Sequence, residues 1–140
     1  DWSSDVCSSD LSKFIKVRDY IQGTEQLVFD KPYLIIASSL KDLMAYQKLK
    51  ITNSEVIAPD SENTMIPENI MNNISSKYQK VCVLFDNDEA GIKAAEKYKS
   101  RYGFNYVILD MEKDLSDAVK VHGIDKVREN LLPLLKQALL

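Results

Sequence analysis

From residue 12 onward, short apolar runs alternate with stretches in which apolar residues recur every three or four positions. That alternation predicts a succession of strands and helices. PYLIIAS (32–38) reads as a buried strand, and SLKDLMAYQKL (39–49) as a helix with Ser39 at its start and Leu40, Leu43, Met44 and Leu49 on one face. EVIAP (55–59) is a second strand, and Pro67 opens a helix over PENIMNNISSKY in which Ile70, Met71 and Ile74 have helical spacing. VCVLF (81–85) is apolar throughout, as expected of a strand covered on both faces. EAGIKAAEKYKSRYG (89–103) is a helix stopped by Gly103, and NYVILDM (105–111) a fourth strand. DLSDAVKVHG (114–123) is a short helix ending at Gly123, and IDKVRENLLPLLKQALL closes the chain as one helix with a kink expected at Pro133. Such alternation requires crossover connections, so the expected class is α/β, with about four mostly parallel strands flanked by helices.

The opening DWSSDVCSSDL (1–11) has no such period. It holds the only Trp, Trp2, and it resembles the translation of a short-read sequencing adapter, so it is expected to be foreign to the domain. The expected division is then 1–11 artefactual, 12–30 the remnant of a preceding region, 31–123 the main domain and 124–140 a C-terminal helix, with the true N-terminus further upstream. Without Asp1, Asp5 and Asp10 the 21 acidic residues fall to 18, matching the 18 basic ones. That balance argues against a strongly basic nucleic-acid-binding face, but leaves room for nucleic acid held through metal ions. Outside the first eleven residues Cys82 is the one thiol, inside an apolar run, where it reads as a small buried hydrophobe suited to a reducing cytoplasm. No apolar run approaches a membrane span, so no membrane partner is expected.

Sites in parallel sheets gather beyond the carboxyl ends of the strands. After VCVLF comes Asp86-Asn87-Asp88-Glu89-Ala90-Gly91, and after NYVILDM comes Glu112-Lys113-Asp114-Leu115-Ser116-Asp117. Hard divalent cations take a few carboxylates together with waters and phosphates. Taken singly, each turn reads equally as a helix N-cap, since Asp is a good cap and acids suit the positive end of a helix. Together they point to one acidic rim. The first strand breaks the pattern with Ala37-Ser38-Ser39-Leu40-Lys41-Asp42, whose carboxylate lies one turn into the helix.

In this order IIASSLKD, VLFDNDEAG and LDMEKDLSD resemble a Toprim domain, the metal-binding fold of DnaG-type primases, topoisomerases and some nucleases. FDNDEAGIKAA is similar to the primase form, and YIQGTEQLVFDKPYLII resembles the primase segment leading into the first Toprim strand. The combination of SSLKD, FDND and KDLSD is most like the primases of bacteriophages, and the resemblance spans about residues 20–123. It implies a Rossmann-like Toprim fold with Mg²⁺ or Mn²⁺ ligated by Asp86, Asp88 and Asp114, supported by Asp42 and Asp117. The family's first Glu is absent; its position falls on Ser38, which counts against autonomous catalysis. Glu62, in the loop IAPDSENTMIP, is a candidate replacement, weighed against an ordinary solvated Glu.

The implied activity is nucleotidyl transfer: RNA primers made from NTPs on a single-stranded DNA template, with a replicative helicase as a further partner; Lys41 reads either as a contact to a phosphate or the template or as an ordinary solvated helix residue. The implied location is the cytoplasm of a bacterium or a phage-infected host. The alternatives are another Toprim enzyme, nuclease or topoisomerase-like, and a catalytically incomplete metal- or nucleotide-binding module. A haloacid-dehalogenase-like phosphatase is excluded, because Ala90 stands where that family needs Thr or Val. Lys93, Lys97, Lys99 and Arg101 read as a solvated helix surface balanced by Glu89 and Glu96 rather than as a template grip, and His122 as a cation at a helix C-terminus.

Overall fold

The computed structural model of the chain describes residues 21–24, 27–59 and 65–139. Within them five strands form one sheet in the order β1–β3–β2–β4–β5: β1 (Ile21–Gln22), β2 (Tyr33–Ala37), β3 (Ser54–Pro59), β4 (Lys80–Leu84) and β5 (Asn105–Val107). The last four are parallel, with Ile35 opposite Val56 on one side and Cys82 on the other, and Leu84 opposite Val107. The crossovers are the helices α1 (Leu40–Lys48), α2 (Glu68–Ser75) and α3 (Glu89–Tyr102); α4 (Leu115–His122) and α5 (Ile124–Leu139) follow β5.

The apolar strands read as continuous runs because both faces are covered. Ile35, Ala37, Val56, Cys82 and Leu84 face α1, α4 and α5, meeting Leu43, Tyr46, Ala118, Val127, Leu131 and Leu135. Leu34, Ile36, Ile57, Val83 and Phe85 face α2 and α3, meeting Met71, Ile74, Ala95 and Tyr98. This alternation follows from the period of two along a strand. Tyr98 is fully buried, packs edge-on to Phe85 and accepts the Ile66 N–H on its hydroxyl at 3.1 Å. Cys82 is buried as expected, and the low dielectric around it pushes its thiol up to about 12.

Two expectations need correction, and one strand went unforeseen. The strand expected over 105–111 ends at Val107, because its ladder partner β4 ends at Leu84 and the chain beyond turns away. β1 was not foreseen; it adds an antiparallel edge, Ile21 opposite Pro59, and Gly23 (φ +87°) lets the chain leave it against Leu43 and Val56. The closing segment is one helix, α5, as expected, with Pro133 inside it. The apolar face of α1 is not the expected one: Leu43 and Leu49 are buried, but Leu40 and Met44 are exposed, while Asp42 is 2 % exposed. At 3.6 residues per turn Asp42 lies about 200° from Leu40, so turning Asp42 inward turns Leu40 and Met44 out. Gly103 stops α3 as expected, in the left-handed conformation at φ 78°. No helix among the described residues is long and apolar enough to cross a membrane.

Candidate metal centre

The three segments after β2, β4 and β5 meet at one rim of the sheet. Asp88 is the N-cap of α3, its Oδ1 accepting the Gly91 N–H at 2.7 Å. Gly91 lies so close to the preceding turn that a Cβ there would stand 2.3 Å from the Asp86 carbonyl oxygen. Only glycine lets α3 begin this near to Asp86. Asp114 is the N-cap of α4, its Oδ1 accepting the Asp117 N–H at 2.8 Å. The two loops are tied directly, the Asn87 N–H donating to the Lys113 carbonyl at 2.6 Å and Asn87 Nδ2 to Asp110 Oδ1 at 3.3 Å.

Asp42 reaches the same place from α1. Its Oδ1 accepts the Ser116 N–H at 2.9 Å, from the first turn of α4. Its Oδ2 accepts the Ser39 hydroxyl at 3.1 Å and the Ser38 hydroxyl. Ser38 Oγ also lies 2.8 Å from Asp86 Oδ1, so this buried serine bridges two carboxylates. Asp42, Asp86 and Asp114 each offer an oxygen within 4.8 Å of the other two. Asp88 is not in that group; its second oxygen faces Lys113 Nζ at 3.8 Å. Lys41 Nζ lies 3.2 Å from Asp114 Oδ2.

Three carboxylates so close repel one another. At an effective dielectric near 20, two full charges about 5 Å apart cost roughly 3 kcal/mol. The carboxyl of Asp86 responds: burial first, then the charges of Asp42, Asp114 and Asp88, push it up to about 6, against the opposing pull of the Ser38 hydrogen bond. Lys41 is shifted the other way in charge terms, its ammonium favoured chiefly by Asp114. A set of hard oxygen donors with surplus negative charge, at a half-buried rim, fits a small divalent cation.

Of the residues singled out in the sequence, Asp86 and Asp114 come together, and Asp42, read there as a supporting residue, joins them on equal terms. Asp117 stands beside Asp114 through its N–H, and Lys41 caps the mouth of the cluster. Glu62 lies outside the described residues. His122, at the last turn of α4, contacts Glu112 Oε2 at 3.0 Å. The Ser116 anchor and the Asn87 tie carried no sequence signal, since neither backbone groups nor a single Asn announce a partner.

Parallel strands wound by helices on both faces, with carboxylates collected beyond the carboxyl ends of β2, β4 and β5, define a Rossmann-like α/β domain with an acidic rim. The model of the Toprim-like family matches residues 35–119, and the chain belongs to that family. No curated protein matches it by sequence. Among solved structures, the primase fragment of the bacteriophage T7 primase-helicase aligns with a TM-score of 0.58 at 17% identity, over 72% of this chain and 44% of the other. The zinc-binding and RNA polymerase domains of the Aquifex aeolicus primase align at 0.56 and 25% identity, over 71% and 25%. The RNA polymerase domain of Mycobacterium tuberculosis DnaG aligns at 0.56 and 18% identity, over 76% and 38%. The chain thus spans less than half the length of each of these proteins.

Proposed function

We propose that this chain is the Toprim part of a DNA primase, acting in the metal-dependent synthesis of RNA primers on single-stranded DNA. The observation that carries the reading is the convergence of Asp42, Asp86 and Asp114, from three segments far apart in sequence, within 4.8 Å of one another. It is supported by the family, and by neighbours that are a primase-helicase fragment and two primases. Asp86, Asp114 and Asp42 would hold Mg²⁺ or Mn²⁺, with Asp88 and Asp117 completing the set from the adjoining caps. Bound there, the ion would supply charge neutralisation for a nucleoside triphosphate and for the charge developing as the bond to phosphorus is made.

The chain's own residues do the positioning. Asp42 is fixed by three hydrogen bonds, so the first turn of α1 is locked to α4. Ser38 holds Asp42 and Asp86 at a set separation, a task in which a hydroxyl adds no further negative charge. Glu62 partly replaces the missing family Glu in this reading, and Glu62→Ala is expected to lower metal affinity. The template and a helicase partner follow from the same reading; one further neighbour comes from a complex of the bacteriophage T7 lagging-strand DNA polymerase interacting with primase domains, bound to an RNA/DNA hybrid and dTTP.

Calorimetric titration of the chain with Mn²⁺, beside the Asp86→Asn/Asp88→Asn double variant, tests the metal centre. Saturable binding lost in the variant is expected; no binding by the unaltered chain overturns the reading. Template-directed incorporation of NTPs, as against degradation of the DNA, separates primase from nuclease. Ser38 in place of the family Glu favours one second reading, a module that binds metal and nucleotide without turnover.

A further inference from the structure

We propose that Lys41 is an exchangeable cation of the carboxylate cluster: it neutralises Asp114 in the metal-free protein and passes to a phosphate of a nucleoside triphosphate when metal takes that carboxylate. This rests on the metal reading above and adds to it a residue that binds substrate phosphate. The ion pair is unequal. Asp114 is buried and anchored by the Asp117 N–H, whereas the Lys41 side chain is 62% exposed, with Nζ 3.2 Å from Asp114 Oδ2. The backbone under Lys41 does not move easily, because the next residue, Asp42, is tied to Ser38, Ser39 and Ser116. Only the four-carbon stem is free to swing.

Two consequences of opposite sign follow. Asp114 belongs to the cluster whose oxygens a metal would take, so a divalent charge at that oxygen repels the ammonium. Metal binding therefore works against the Lys41–Asp114 contact, and removing Lys41 tightens it. A polyphosphate docked on the metal puts anionic oxygens at the same mouth, where an ammonium on a flexible stem is a good partner, so removing Lys41 weakens nucleotide binding. A lysine serving only to stabilise the fold produces neither effect in that combination.

The test is Lys41→Met in the full chain. Mn²⁺ is titrated first by calorimetry, then Mn-ATP into the Mn²⁺-saturated protein. Lys136→Met is the control for lost charge: Lys136 lies on α5 and lines a cavity with Tyr33 and Ser54, which stand at the amino ends of β2 and β3, opposite the acidic rim. The Mn²⁺ Kd of Lys41→Met falls and its Mn-ATP Kd rises, each by about three- to tenfold. Lys136→Met stays within about twofold of the unaltered chain in both, and Lys41→Arg keeps the nucleotide affinity. Unchanged or weaker Mn²⁺ binding by Lys41→Met, or unchanged or tighter Mn-ATP binding, overturns the proposal while leaving the metal centre intact. Absence of Mn²⁺ binding by the unaltered chain overturns the metal reading, and this proposal with it.

Discussion

Asp86→Asn is expected to make the metal-free protein more stable at neutral pH. The carboxyl of Asp86 is raised from 3.8 to about 6 in the folded chain, first by burial and then by Asp42, Asp114 and Asp88. Below about pH 4 it is protonated whether the chain is folded or not, and nothing is lost. Between about pH 4 and 6 the unfolded chain has released this proton while the folded chain retains it, so stability falls as pH rises; above about pH 6 the loss is complete. A shift of about two units at 1.36 kcal/mol each corresponds to roughly 3 kcal/mol. Asp86 is only half-buried, and screening by solvent brings this to about 1–2 kcal/mol. Asn keeps an oxygen for the Ser38 hydroxyl and removes the charge. Urea unfolding followed by far-UV circular dichroism, in chelator, is expected to place Asp86→Asn about 1–2 kcal/mol above the unaltered chain at pH 7.5. The gap narrows toward zero as pH falls to 4. Saturating Mn²⁺ reverses the order, since at a hundred times Kd binding adds about 2.7 kcal/mol to the unaltered chain alone. Parallel stability curves for the two proteins across this pH range would refute the reasoning about the cluster.

Three further outcomes are expected. Gly91→Ala places a Cβ 2.3 Å from the Asp86 carbonyl oxygen; crowding of about 1–3 kcal/mol outweighs the better helix propensity of Ala, up to about 1 kcal/mol. A net loss near 1–2 kcal/mol lowers Tm by about 4 °C per kcal/mol in a domain of this size, and Mn²⁺ affinity falls with the displaced Asp86; an unchanged melt would mean that α3 starts further from the turn. Tyr98→Phe leaves the buried Ile66 N–H without its acceptor and costs about 1–3 kcal/mol in urea unfolding; a neutral effect would show that water reaches Ile66. In a Cys7→Ser chain, Cys82, its thiol pushed up to about 12 by burial, reacts with iodoacetamide at pH 8 only as fast as the protein unfolds. Rapid labelling of the native protein would mean that β4 opens locally.

What the amino-acid order determined was local. Apolar runs of four to six residues between helical repeats marked β2, β3 and β4 and every described helix, because backbone period and side-chain pattern are read within one element. Gly103 and the caps at Asp88 and Asp114 were legible for the same reason. Two acidic turns following two buried strands already placed Asp86 and Asp114 on one rim, since parallel strands bring their carboxyl ends together. The tertiary structure decided the rest. The length of β5 depended on where β4 stopped pairing, and β1 on an edge of β3 that only the assembled sheet exposes. The inner face of α1 was misread because Leu40 and Met44 outweigh one Asp in any hydrophobic periodicity. Asp42 turns inward only because Ser38, Ser39 and the Ser116 N–H satisfy it. A buried carboxylate is costly without such partners, and here one stands 74 residues away. No local pattern encodes that contact, so which carboxylates converge is a property of the folded chain.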